Sequence, residues 1–332
     1  MTLSLHYTGV LKPALSIVVP LFNEVESLPE LHARLSEVLD RLERPAEIVF
    51  VDDGSTDGSM ETVRRLRERD PRVRGVQFRR RYGKSAALAA GLARATGRHL
   101  VTLDADLQDD PAEIPRLLDK LDEGYDLVSG WKRGRADPLL RRAASRVFNR
   151  VTSWLTGVRL HDINCGLKAY RREVTDTIRV YGQLHRFLPV LALKEGFRLA
   201  EVEVTHHPRK YGRSKFGVAR FAGGFFDLVT VLFLTRYTRS PLHLFGIAGV
   251  IALALGAAIS IYLAYQRLVL SVYLSNRPLL FLGILLVIVG VQFISLGLLG
   301  EMIAAAAEAS HPRQGYSIRS EVGFPDAGVP SG

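Results

Sequence analysis

His99-Leu100-Val101-Thr102-Leu103-Asp104-Ala105-Asp106-Leu107-Gln108-Asp109 decides the fold. A short apolar run, His99 to Leu103, meets two carboxylates set one residue apart, and Pro111 then opens a helix-like segment. A strand ending at once in Asp-x-Asp places both acids where an open α/β sheet keeps its ligand crevice. Mg²⁺ and Mn²⁺ take hard oxygen ligands, usually one or two carboxylates completed by substrate phosphates. The motif therefore points to a divalent metal bridging a nucleotide diphosphate, although Asp-x-Asp by itself also occurs in solvated loops.

Outward from this stretch, strand and helix patterns alternate. Strands are expected at Leu15 to Pro20, Glu47 to Asp52, Val73 to Phe78, His99 to Leu103 and Asp126 to Ser129. Helical periodicity fills the gaps at Ser27 to Leu42, Thr56 to Arg69, Lys84 to Ala95 and Pro111 to Glu123. This order predicts an α/β fold, a mostly parallel sheet with helices on both faces. Three polar clusters fall at three strand ends: Pro20 to Glu24, Asp52 to Asp57 and Asp104 to Gln108. In the second, Ser55 and Asp57 are expected to cap the following helix. Asp52 and Asp53 are candidates for hydrogen bonds to a base or ribose. Gly83-Lys84-Ser85 is not a P-loop, because Phe78 stands where the motif needs its first glycine.

The composition changes at about residue 240. Leu242 to Gln266 and Pro278 to Gly300 contain no charged residue, and each exceeds the roughly 20 apolar residues that span a bilayer. Glycines inside them, such as Gly249, Gly256, Gly283 and Gly290, allow helices to approach closely in lipid. A transmembrane hairpin is expected, and its small-residue faces permit a homo-oligomer without requiring one. Between Phe216 and Thr235, aromatic and aliphatic residues are interrupted by Arg220 and Asp227, a pattern suited to interfacial helices or to a third, weakly apolar span. Basic residues gather before the first span, against Arg267 and Arg277 in the connecting loop, so the large domain is expected on the cytoplasmic side of the inner membrane. The expected organisation is a catalytic domain over 1–215, juxtamembrane helices over 216–240, the hairpin over 241–309 and a flexible cytoplasmic tail over 310–332.

No charged start followed by an apolar run marks a signal peptide. Cys165 is the single cysteine, which excludes an intramolecular disulfide and fits a reducing compartment. The net charge of +10 does not indicate nucleic acid, because no nucleic-acid module accompanies it and the basic residues cluster beside the apolar segments. Anionic membrane lipids account for them more economically.

Val18 to Glu24, Val51 to Asp57, Gly83 to Leu88 and Asp104 to Gln108 together resemble family 2 glycosyltransferases of GT-A fold. Asp162 to Lys168, His207 to Lys215 and the two-span tail are similar to the polyprenyl-phosphate subgroup, which includes dolichol-phosphate mannosyltransferases and bactoprenol glucosyltransferases. The resemblance implies that Asp104, Asp106 and Gln108 hold Mg²⁺ or Mn²⁺ on the diphosphate, with Asp104 also in the nucleotide-sugar pocket beside Pro20, Asn23, Glu24, Asp52, Asp53 and Lys84. The implied acceptor is a polyprenyl phosphate, undecaprenyl or dolichyl. Lys132, Arg133, Arg142, Arg209, Arg213 and Lys215 are candidate cations for its phosphate. The family's usual Gly-Ser-Arg is Gly130-Trp131-Lys132-Arg133 here, so Lys132 and Arg133 both remain candidates.

The implied reaction is inverting transfer of a hexose from a donor such as UDP-glucose or GDP-mannose. A phosphate monoester with a second pKa of about 6 is already largely ionised at neutral pH, so a strong general base is not needed. Asp162 is a candidate base, or a group that orients an acceptor-binding arginine. A lipid-linked sugar made on the inner leaflet needs a flippase and a downstream transferase as partners. Three other readings stand beside this one. A processive polysaccharide synthase would carry Gln-x-x-Arg-Trp and more spans, a non-catalytic scaffold would not need both acids, and a lipid carrier would need more than one hairpin. His161 and the pair His206-His207 lack metal-ligand spacing and are expected to pack or to face solvent.

Overall fold

A computed structural model of the chain describes residues 13–132, 160–162, 165–178, 184–208, 210–211, 241–271, 273, 278–309 and 316–324. The chain divides into two compact units, Met1–Leu228 with Gln314–Gly332, and Val229–Arg313. In the first unit the elements run β1 (Leu15–Leu21), α1 (Leu28–Leu42), β2 (Ala46–Asp52), α2 (Ser59–Arg69), β3 (Val73–Phe78), α3 (Lys84–Arg94), β4 (His99–Thr102), α4 (Ile114–Asp122) and β5 (Leu127–Lys132). There follow β6 (Lys168–Arg171), α5 (Arg172–Thr177), α6 (Leu188–Lys194), β7 (Leu199–Val204) and, near the C-terminus, β8 (Ile318–Val322). The sheet order is β7-β5-β6-β4-β1-β2-β3-β8. The β1/β2, β1/β4, β2/β3 and β5/β7 pairs are parallel, whereas β6 runs antiparallel to both β4 and β5.

Strand alternation divides the apolar residues between two faces. Ile17, Val19, Ile48 and Phe50 face Leu28, Leu31 and Leu35 of α1 and Met60 and Val63 of α2. Val18, Val49 and Val51 face Ala87, Leu88 and Leu92 of α3. Each fully buried aliphatic side chain contributes about 1.5–3 kcal/mol of transfer free energy, so a central β1 with seven buried positions anchors the fold. Pro20 sits inside this central strand, where a missing N–H is normally costly. Pairing to β4 ends at Val18 opposite Thr102, so β1 is an edge on that side at Pro20.

Strand order reverses at β1, which is flanked by β2 on one side and β4 on the other. Ligand crevices of open α/β sheets lie outside the carboxyl ends of the strands at such a switch point. Asp104 follows β4 there, and Asn23 and Glu24 follow β1. The expectation of a flexible tail is corrected for residues 318–322, because β8 pairs antiparallel with β3 at the sheet edge. Tyr316 stacks on Phe78 with ring centroids 5.0 Å apart, and Arg94 Nε reaches Glu321 Oε1 at 2.6 Å. The expected interfacial segment, 216–240, lies outside the described residues.

The second unit contains α7 (Pro241–Leu268) and α8 (Pro278–Ala309). Phe245–Leu268 and Pro278–Ile303 are long and apolar enough to cross a membrane. Their contacts run in opposite directions along the chain: Gly249 meets Gly290, and Gly256 meets Gly283. A Cβ on Gly249 would lie 2.7 Å from the Gly290 carbonyl oxygen, so the two backbones touch at glycine and the larger apolar side chains point outward.

Candidate functional site

The loops after β1 and β2 are tied to each other by side chains. Asn23 adopts φ +54°, an αL conformation that asparagine tolerates. Its N–H donates to Ser55 Oγ at 2.8 Å, and its Oδ1 accepts from Thr56 N at 2.9 Å. Ser59 Oγ accepts from Glu24 N at 3.0 Å, and Asp57 Oδ2 accepts from Val25 N at 3.1 Å. The expected capping roles are thus corrected. Gly58 is the N-cap of α2, Ser55 secures the neighbouring loop, and Asp57 both secures that loop and accepts from Ser59 N at 3.0 Å.

Asp52 is fully buried at the end of β2. Its Oδ1 accepts from Ser55 N at 2.8 Å and its Oδ2 from Gln77 Nε2 at 3.3 Å. Asp53 accepts from the N–H groups of Tyr82 at 2.6 Å and Gly83 at 2.9 Å, which fixes the loop leading into α3. Burial raises the carboxyl pKa of both, against the hydrogen bonds that favour their charged forms. Both acids therefore act on loop geometry. Gly54, at φ +75°, is required beside them, because a Cβ would lie 2.7 Å from the Arg80 backbone.

Asp53 thus sets the start of α3, and α3 delivers Lys84. Lys84 Nζ lies 2.5 Å from Asp104 Oδ1, with both side chains about one-third exposed. On the other side of Asp104, a Cβ added to Gly166 would fall 2.7 Å from Oδ2, so only glycine leaves that oxygen room. Asp106 accepts from Gln108 N at 3.2 Å across Leu107, whose φ is +58°. Asp104, Asp106 and Gln108 are all half-buried at the sheet's carboxyl edge. Among the described residues no three His, Cys, Asp or Glu side chains form a protein-only metal cage. Two accessible carboxylates with the Gly166 clearance fit Mg²⁺ or Mn²⁺, which complete their shells with water and phosphate oxygens.

Behind Asp-x-Asp lies a cluster that composition did not reveal. Asp109 is buried, with Lys132 Nζ at 2.5 Å and His206 Nδ1 at 3.3 Å. Burial would raise its pKa, yet His206 and Lys132 outweigh burial and hold the carboxyl down to about 2. His207 donates its N–H to the Gln108 carbonyl at 2.8 Å, and its Nε2 lies 3.1 Å from Asp110 Oδ2. The two histidines therefore brace the Asp-x-Asp loop. Lys132 is an internal ion-pair partner here, only 10% exposed. Arg133, Arg142, Arg209, Arg213 and Lys215 lie outside the described residues.

Asp162 is buried, and its N–H donates to Glu201 Oε1 at 3.1 Å. Next to it, His161 stacks on Trp131 at 4.3 Å and pairs with Glu201. Lys168 is also buried, donates to the Cys165 carbonyl, and has its pKa lowered by burial. Ser85 Oγ meets His185 Nδ1 at 2.6 Å and ties the residue after Lys84 to a second segment. Burial and the nearby Lys84 and Arg186 charges lower the His185 pKa to about 2, so the ring is neutral. Sequence reasoning missed Asp109, Lys168 and His185 as site neighbours. The available signals were the polar run Gln108-Asp109-Asp110 after Leu107 and the place of Lys168 at the end of the Asp162 to Lys168 stretch.

Residues 16–179 match the family described as Glycosyl transferase family 2. The chain is 37% identical to a dodecaprenyl-phosphate galacturonate synthase of Rhizobium johnstonii, over 92% of each protein. It is 37% identical to an undecaprenyl-phosphate 4-deoxy-4-formamido-L-arabinose transferase of Aeromonas hydrophila, over 92% of this chain and 93% of that protein. In fold it is similar to glucosyl-3-phosphoglycerate synthase from Mycobacterium tuberculosis, crystallised with Mn²⁺, uridine diphosphate and phosphoglyceric acid. The TM-score is 0.53 at 21% identity, with 67% of this chain and 78% of that chain covered. The mostly parallel sheet, the loops converging at its switch point and these relatives agree: the chain belongs to glycosyl transferase family 2 and is a transferase.

Proposed function

We propose that the protein transfers a sugar from a nucleotide diphosphate to a polyprenyl phosphate at a membrane surface, with inversion at the anomeric carbon. One observation carries this reading: the relatives named for polyprenyl-phosphate substrates match over 92% of the chain, so the similarity runs from the sheet into the apolar hairpin. Asp104, Asp106 and Gln108 hold the metal. Bound there, Mg²⁺ or Mn²⁺ offsets the charge that develops on the leaving nucleoside diphosphate. Lys84 already lies against Asp104 and adds its charge to the diphosphate. Pro20, Asn23 and Glu24 line the nucleotide, while Asp52 and Asp53 fix the loops that carry it.

The acceptor phosphate supplies its own nucleophilic oxygen, so Asp162 orients rather than deprotonates. Arg133, Arg142, Arg209, Arg213 and Lys215 supply the cations that bind it, and Lys132 contributes by neutralising Asp109. The hairpin crosses the inner membrane twice and leaves the catalytic domain, 1–215, on the cytoplasmic face. A flippase and a downstream transferase then use the product. The donor panel follows from the relatives' names: nucleotide-linked galacturonate and 4-deoxy-4-formamido-L-arabinose, beside UDP-glucose and GDP-mannose. The test incubates full-length protein with undecaprenyl phosphate and each labelled donor, with Mg²⁺, Mn²⁺ or chelator. Label entering the organic phase from one donor, and only with metal, is the expected outcome; no transfer from any donor contradicts the reading.

A further inference from the structure

The C-terminal strand β8 does more than cover an edge. Its register places Ser320 opposite Gln77. Arg64 Nη2 donates to Ser320 Oγ at 3.3 Å, and Ser320 Oγ donates to Gln77 Oε1 at 3.1 Å. Gln77 Nε2 donates to Asp52 Oδ2 at 3.3 Å, and Asp52 Oδ1 accepts from Ser55 N at 2.8 Å. Ser55 Oγ accepts from Asn23 N at 2.8 Å. Every donor in this chain faces an acceptor. A carboxylate only accepts, so Asp52 takes the NH₂ end of Gln77, and the Gln77 oxygen is left for the Ser320 hydroxyl.

We propose that β8 sets the nucleotide end of the site through the relay Arg64, Ser320, Gln77, Asp52, Ser55 and Asn23, with Ser320 as its positioning residue. The inference rests on the proposed nucleotide-binding role of the Asn23 and Asp52 loops. Two observations favour a relay over simple edge covering. Asp52 is fully buried, so its two partners are the means by which the rest of the protein orients it. The link also arises from sequence beyond the second apolar helix, so the segment after the hairpin in the chain contributes to the donor end of the sheet.

Without the Ser320 hydroxyl the Gln77 amide is free to rotate, and Asp52 loses an oriented donor. The test measures UDP and GDP binding to the full-length protein in Mg²⁺ by calorimetry, for wild type, Ser320→Ala, Ser320→Thr, Asp52→Asn and the Asp52→Asn/Ser320→Ala double variant. Ser320→Ala is expected to weaken the bound nucleotide about three- to tenfold, the range of one net hydrogen bond. Ser320→Thr keeps the hydroxyl and restores binding. In the Asp52→Asn background the Ser320→Ala loss disappears, because the relay already ends in a neutral group. The acid limb of kcat/KM also moves to higher pH in Ser320→Ala, since Gln77 favours ionised Asp52 against its burial. Unchanged binding in Ser320→Ala, or a loss that persists beside Asp52→Asn, overturns the relay alone. A wild type that binds neither nucleotide overturns the nucleotide reading and the relay with it.

Discussion

In the sheet, Ile17, Ile48 and Val101 are fully buried, whereas Ile247, Ile261 and Leu285 of the hairpin, with the same chemistry, are more than half exposed. The sheet hides its branched side chains under helices on both faces and leaves charged groups at its carboxyl edge. The hairpin does the reverse, touching through glycine backbones and turning its apolar surface outward. Sheet stability therefore comes from removing apolar area from water. In the proposed membrane setting, hairpin association comes from close packing, with lipid as the solvent of the outer face. A given substitution must act differently in the two regions.

The largest difference concerns buried charge. Asp109→Asn leaves Lys132 inside the sheet unit without its counter-ion, and breaking a buried pair in this way costs about 3–5 kcal/mol. A fall in the unfolding midpoint of the catalytic domain is the expected observation, and an unshifted midpoint would remove the pair from the account of stability. Apolar truncation comes next. Ile48→Ala removes fully buried volume and costs about 2–5 kcal/mol in the same measurement, whereas Ile261→Ala, 70% exposed, leaves that midpoint in place. Equal effects at the two positions would contradict the difference in burial between the two units.

Smaller again is Gly166→Ala, which drives a Cβ against Asp104 and is expected to lower transfer by about one to two orders of magnitude, the usual effect of misplacing one group by ~1 Å. Its circular dichroism and melting should stay close to wild type. The most gradual effect is acid sensitivity. Asp109 and Asp70 both have folded-state pKa values lowered from 3.8 to about 2, in each case against their burial. A lowered folded pKa means that this stability is complete above about pH 4 and is lost as pH falls towards 2. Acid titration should show the loss in that window, and Asp109→Asn should remove the Asp109 share of it and leave that of Asp70.

Much of this is legible in the sequence alone. β1 to β5 and α1 to α4 appeared within a residue or two at most ends, because Leu28, Leu31 and Leu35 mark a helical face and runs such as Ile48 to Val51 mark buried strands. The hairpin was legible because charge is absent over two stretches, each long enough to cross a bilayer. What stayed hidden depends on distant pairing. β6 is only Lys168–Arg171, too short for a period, and its place between β4 and β5 comes from contacts more than 30 residues away. β8 alternates inward and outward, yet its partner β3 lies some 240 residues earlier. Lys132 looked like one more phosphate-binding cation, and only the fold brings it to Asp109. At the site, the three clusters were legible as strand ends, but the loop-fixing roles of Asp52 and Asp53 were not, since burial is a property of the assembled sheet.

The proposed function makes Asp104 and Asp106 the drivers of sugar transfer to a lipid phosphate held beside the sheet's carboxyl edge. Its most direct test compares wild type with Asp104→Asn/Asp106→Asn, both as folded full-length protein, in moving labelled sugar from a nucleotide to undecaprenyl phosphate with Mg²⁺ or Mn²⁺. Metal-dependent label in the organic phase from wild type, and a drop of at least about 10²-fold in the variant, is the expected result. Equal transfer by the two proteins would contradict it.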